Sequence, residues 1–178
     1  HVSEFKRKTA EFKKQVPEFI ARFKDMVKKA VRDGWLPVEE ATVERRIHNE
    51  TSFVLFDELA EKSEWFLGDY DVVEGRVRVR ATIPKKEWER VVDHELTHGA
   101  ISGRSIVQGE TEDSVFSVSG HVNIHQKLGL VFGHFQSGRQ IFRWLNEAVT
   151  ENISALLRGD DTSDAYILER QFLRDLIN

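Results

Sequence analysis

The chain contains no cysteine. That excludes a disulfide frame and any thiolate metal site, so a metal held here must take nitrogen and oxygen ligands. An apolar run long enough to cross a bilayer is also missing, as is any signal-peptide pattern. There is no initiating methionine; His1 comes first, which suggests a processed chain or an excised fragment. The compartment stays open, with the cytoplasm favoured. Prolines are scarce, three in 178 residues, so each one punctuates: Pro17, Pro37 and Pro84. What remains, 40% hydrophobic and 31% charged, is the makeup of a soluble globular protein of one domain, or one domain with an arm.

Charge is unevenly placed. Residues 1–32 hold ten Lys/Arg against four Asp/Glu, so they carry +6 and the remaining residues −10 of the net −4. A basic segment beside an acidic body suits contact between the two, or a surface for an acidic partner; a solvated helix face is the plainer explanation. The same segment is a repeat: EFKRKTA (4–10), EFKKQVP (11–17), EFIARFK (18–24), DMVKKAV (25–31). Its apolar seam, Phe5, Thr9, Phe12, Val16, Phe19, Phe23, Met26 and Ala30, alternates spacings of four and three, which predicts a helix. Pro17 should kink or restart that helix after about residue 15. Asp33-Gly34 ends it. The expected division is therefore a basic helical arm, 1–34, and a domain of its own, 35–178. The arm is expected to pack on the core as a scaffold, with self-association or an inhibitory contact through residues 4–31 as the alternatives.

Further along, 38–48 reads as a short helix, 52–56 as a strand, and 56–67 as a helix ending at Gly68. Residues 70–73, a Glu74-Gly75 turn and 76–83 form a hairpin pattern, the second strand alternating arginine and apolar residues before Pro84 stops it. A helix should run from Lys85 to about Ile101. The segment 102–136 suggests short strands at 115–118, 122–124 and 130–132, followed by a helix from about 137 to Arg158 and a last one from 161 to about 177.

Inside the helix at 85–101 lies His94-Glu95-Leu96-Thr97-His98, which reads HExxH. Histidines four residues apart leave a helix on one face and can share a Zn²⁺, while the glutamate between them serves as general base on water. A catalytic zinc wants a third protein ligand. The positions that an HExxHxxGxxH site would need hold Ile101 and Arg104, so that source is excluded. Glu110, Glu112, Glu147 and Glu151 are the carboxylate candidates, with His121, His125 and His134 as imidazole rivals. The stretch Trp144-Leu145-Asn146-Glu147-Ala148-Val149-Thr150-Glu151 favours the pair Glu147 and Glu151, four apart on one helical face. One can bind the metal while the other accepts a hydrogen bond from a ligand histidine.

HELTH followed by WLNEAVTE resembles the gluzincin clan of zinc metallopeptidases, which includes thermolysin-like proteases and zinc aminopeptidases. The resemblance covers about residues 76–158. It implies an α+β, zincin-like fold: a small mixed sheet, an HExxH helix and a glutamate helix. It implies His94, His98 and Glu147 as zinc ligands, Glu95 as the base, and Glu151 with Asn146 as supports for the ligands. Two departures stand out. Forty-eight residues separate His98 from Glu147, more than in short-spacer members, and no G-x-M-E-N-like stretch precedes the motif. The second departure points to an endopeptidase.

The remaining roles are expectations. Tyr166 is the candidate to stabilise the oxyanion, with His121, His125, His134 and Arg139 as others. The strand at 76–83 resembles the edge strand of this clan, so Arg78, Val79 and Arg80 are expected to pair with an extended peptide substrate. Arg76, Arg78 and Arg80 on one face would favour acidic substrates, or simply guard an edge. The partner is a peptide or protein, with no nucleic-acid motif and no membrane span. A peptidase-like module that binds zinc without cleaving anything is the competing class.

Overall fold

A computed structural model describes residues 2–47, 53–56, 67–71, 75–102, 104–109, 123–128, 131–134, 140–141, 143–160 and 171. The N-terminal repeat is one long helix, α1 (Val2–Arg32), continuous through Pro17. The expected break does not occur. Pro17 lies on the exposed side, where the carbonyl deprived of its partner can turn to water. The buried face continues past it through Phe12, Val16, Phe19, Ile20, Phe23, Val27 and Ala30. Ile20 and Val27 widen the seam to a full apolar face, whereas Phe5 and Met26 are only partly buried. Gly34, at φ +81°, closes the helix.

α2 (Glu40–Arg46) packs on α1 and leads towards β1 (Phe53–Phe56). β2 (Gly68–Asp71) and β3 (Arg76–Arg80) form the expected hairpin, in antiparallel register with Tyr70 opposite Val77. β1 pairs with β3 in parallel, Leu55 opposite Val79, which gives the order β1-β3-β2. This corrects the expectation for 76–83. β3 is the central strand, hydrogen-bonded on both sides, so Arg78, Val79 and Arg80 offer no free edge to a peptide. Alternation explains why: Val77 and Val79 are buried beneath, while Arg78 on the other face pairs through Nε with Oδ1 of its cross-strand neighbour Asp69 at 2.6 Å.

α3 (Lys85–Leu96) starts at Pro84 and buries Trp88, Val91, Val92 and Leu96 against α1 and the sheet. Trp88 meets Phe12 edge-on, with ring centroids 5.3 Å apart. Thr97–Ser102 continues α3 as a π-helical segment, so the expected extent is right but the last turn is wider. A second sheet follows, antiparallel in the order β4-β5-β6-β7: β4 (Arg104–Gly109), β5 (Asn123–Leu128), β6 (Val131–His134) and β7 (Gln140–Ile141). β4 was not expected from the sequence. β7 takes the place where a helix start was expected, and α4 begins only at Arg143, running to Arg158. The expected helices at 56–67 and 161–177 and the strand at 115–118 lie outside the described residues, apart from their single residues Phe56, Leu67 and Gln171.

The architecture is α+β. One core holds α1, α2, β1, β3 and α3 together, so residues 2–32 share their interior with the rest of the chain. Among the described residues no helix is long and apolar enough to cross a membrane.

Candidate metal centre

α3 and α4 pack against each other, and buried polar residues gather there: Asp93, His94, Glu95, Thr97 and His98 from the first and its continuation, Asn146, Thr150, Glu151 and Ser154 from the second, with Glu147 half-buried beside them. Helical spacing puts His94 and His98 on one face, and α4 sets Glu147 opposite them. His94 Nε2 to His98 Nε2, His94 Nε2 to Glu147 Oε2 and His98 Nε2 to Glu147 Oε2 are each 3.2 Å. Four tetrahedral ligands about 2.0–2.1 Å from a zinc ion stand about 3.3 Å from one another. The triangle has that edge length. Hydrogen bonding alone accounts for it poorly, since two imidazole nitrogens and one carboxylate oxygen at mutual contact cannot each serve as donor to both neighbours. Among the described residues this is the one group of three or more ligating side chains that converges.

The far nitrogens are held as well. His94 Nδ1 is 2.7 Å from Glu151 Oε2, and an ionised carboxylate only accepts, so Nδ1 carries a proton and Nε2 is the nitrogen turned to Glu147 and His98. His98 Nδ1 lies 3.1 Å from Thr150 Oγ1 and 3.0 Å from Asn146 Nδ2. The tautomer that leaves His98 Nε2 as a ligand is the one in which Nδ1 donates to Thr150 Oγ1; in the other, Asn146 Nδ2 donates to Nδ1. Thr150 is absent from the sequence expectations. The signal was there: Asn146 and Thr150 repeat, one residue earlier, the i,i+4 spacing of Glu147 and Glu151. α4 thus offers each histidine its own partner.

Electrostatics follow the packing. Burial disfavours a charged His94, yet Glu147, Glu151 and Glu95 outweigh it and push the imidazole up to about 10. His98, with burial dominant and His94 beside it, is lowered. Burial alone would raise Glu147, but the two imidazoles hold it far below the usual carboxylate range. Burial pushes the Glu95 carboxyl up to about 8; His94 pulls against this, and Glu147, Asp69 and Glu151 add to it. Carboxylates gathered round a buried imidazole thus make this a site that favours positive charge.

Two glycines bring the sheet and helix close enough. A Cβ on Gly68 would lie 2.5 Å from Val91 Cγ1 and 3.3 Å from Glu95 Oε1, so β2 passes directly beside Glu95. A Cβ on Gly99 would lie 2.1 Å from the Tyr70 ring, which packs on the π-helical segment just after His98. Arg46 of α2 donates to the carbonyls of Ala100 and Ile101 at 2.8 and 3.2 Å and so holds the end of that segment.

The structure thus brings His94, His98, Glu147, Glu151 and Asn146 together and sets Glu95 within the same buried layer. Arg78 is committed to Asp69. Tyr166, Arg139, His121, Glu110 and Glu112 lie outside the described residues. His125 and His134 are register partners on β5 and β6. No family model, no curated protein and no solved structure matches the chain.

Proposed function

We propose that the chain is a zinc-dependent peptidase, acting as an endopeptidase, with His94, His98 and Glu147 as the metal ligands and Glu95 as general base. The observation that carries the reading is the 3.2 Å triangle of His94 Nε2, His98 Nε2 and Glu147 Oε2, with the outer nitrogens of both histidines already engaged. Three nitrogen and oxygen donors suit zinc and leave a fourth position for water, the arrangement of a catalytic rather than a purely structural site. Bound there, zinc supplies a Lewis acid that polarises a carbonyl and makes water a nucleophile near neutral pH.

The protein's own residues do the rest. Glu151 fixes the tautomer of His94, and Thr150 can accept from His98 Nδ1, which makes both Nε2 atoms available to a metal. Glu95 accepts a proton from the attacking water and delivers it to the leaving amine. Burial raises its carboxyl to about 8, and a dication held by the neighbouring ligands would favour the carboxylate form that a base needs. Among the described residues β2 ends the sheet order, and it runs past Glu95 at Gly68.

The test is metal analysis of the purified protein together with hydrolysis of casein. One equivalent of zinc and zinc-dependent cleavage are expected. Glu95→Gln should retain the metal and lose about 10²–10⁴-fold in rate. Full activity in that variant refutes the base, and zinc-loaded wild type that cleaves nothing supports a binding module instead.

A further inference from the structure

Behind His94, on the side away from Glu147, lies a second layer of charge that the reaction does not use. Asp93 is fully buried, and its Oδ1 accepts a hydrogen bond from Arg22 Nη2 of α1 at 2.7 Å. The other arm of the same guanidinium, Nη1, bonds Glu89, one turn earlier on α3. Arg22 therefore forks across two carboxylates four residues apart. Arg158, from the end of α4, approaches Glu151 at 3.5 Å and also acts electrostatically on Asp93. Asp93 Oδ2 has no hydrogen-bond partner among the described residues, so the bond from Arg22 is the direct tie on this carboxylate.

An ion pair of this kind is a poor way to glue two helices. Desolvating Asp93 is costly, and a pair of apolar side chains would hold α1 on α3 as well or better. A fork over two carboxylates does what apolar contacts do not: it fixes rotation and axial register. The residue after Asp93 is the ligand His94, so the angle at which α3 presents its imidazoles is set one residue away from the fork.

We propose that Arg22 is a positioning residue of the metal centre, acting through Asp93 and Glu89 to set the rotation of α3 that brings His94 and His98 onto Glu147. The helix carrying it is then part of the metal site's frame. The inference rests on the metal reading of His94, His98 and Glu147.

Co²⁺ titration of the full chain tests it, read from the visible absorption of the bound ion, with thermal unfolding followed by circular dichroism on the same samples. Wild type is compared with Arg22→Met, Arg22→Lys and Phe19→Ala, the last a core truncation on the same helix. Arg22→Met should unfold cooperatively and bind Co²⁺ about 10-fold or more weakly, the range seen when an outer support of a ligand is lost. Arg22→Lys, which keeps the charge but not the fork, should recover part of that loss, and Phe19→Ala should bind as wild type. Wild-type affinity in Arg22→Met, equal weakening in Phe19→Ala, or no recovery in Arg22→Lys overturns the proposal while leaving the metal site standing. If Arg22→Met does not fold, Arg22→Lys decides: several-fold weaker binding supports the proposal and unchanged binding overturns it. Wild type that binds no Co²⁺ overturns the metal reading, and this inference with it.

Discussion

Glu151 shows how one atom's partner determines another atom's chemistry. Its Oε2 accepts a hydrogen bond from Nδ1 of His94, which keeps the proton there and makes Nε2 the electron-pair donor. Glu151→Gln can offer either an oxygen or an amide hydrogen at that position, so it should weaken metal affinity by about 10–100-fold while Glu147→Ala removes a ligand and costs more. Isothermal titration with Zn²⁺ separates the two, and equal losses would mean that Glu147 is not a ligand. The second proton of His94, the one Nε2 takes up in the imidazolium, has a pH signature. Its folded value, about 10, lies above the ordinary 6.5, so in the metal-free protein it contributes stability that is complete below pH 6.5 and is lost as pH rises towards 10. A metal must displace that proton, which becomes easier over the same interval. The zinc-induced rise in melting temperature should therefore be larger at pH 8 than at pH 6; a shift that shrinks with pH would contradict the arrangement.

Among the elements, α1 was the most legible and the least well judged. Periodicity gave its extent and most of its buried face, because an apolar repeat over 31 residues carries enough signal to survive one proline. Proline propensity was overweighted, since Pro17 faces solvent while tertiary burial on the opposite side holds the turns either side of it. A proline inside a helix still lacks its hydrogen bond, so Pro17→Ala should stabilise the protein by about 1–3 kcal/mol. Chemical denaturation would measure it, and an unchanged midpoint would mean the helix is already relaxed around the ring. β3 was misplaced for a different reason. Alternating Arg and Val identified a strand with one covered face, but its neighbours depend on where β1 arrives, and nothing local to 76–80 encodes that parallel partner. α4 was legible where chemistry constrained it, at Asn146, Glu147 and Glu151. Its start was not, because Gln140–Ile141 is claimed by pairing with β6.

Taken whole, the molecule does not divide where its charge does. Charge set the first 32 residues apart as an arm, while their apolar repeat pointed to packing on the core, which is where the buried face of α1 lies. Six large apolar side chains of α1 are buried, Phe12, Val16, Phe19, Ile20, Phe23 and Val27. At about 2 kcal/mol each they supply about 12 kcal/mol, the scale of the net stability of a whole domain. A chain lacking residues 1–32 should therefore lose cooperative thermal unfolding and metal binding together. A truncated chain that folds and cleaves faster than the full one would instead make α1 an inhibitory strap.

The triangle of ligands has a consequence for the polymer as well as for catalysis. His98 and Glu147 are 49 positions apart, and the whole of the second sheet lies between them. A metal that joins the two closes that stretch into a ring. In chain-entropy terms a cross-link around a loop of this length removes about 4 kcal/mol of freedom from the unfolded ensemble. A sequence without a single cysteine would thus own a staple after all, one that is fastened by a cation and undone by a chelator.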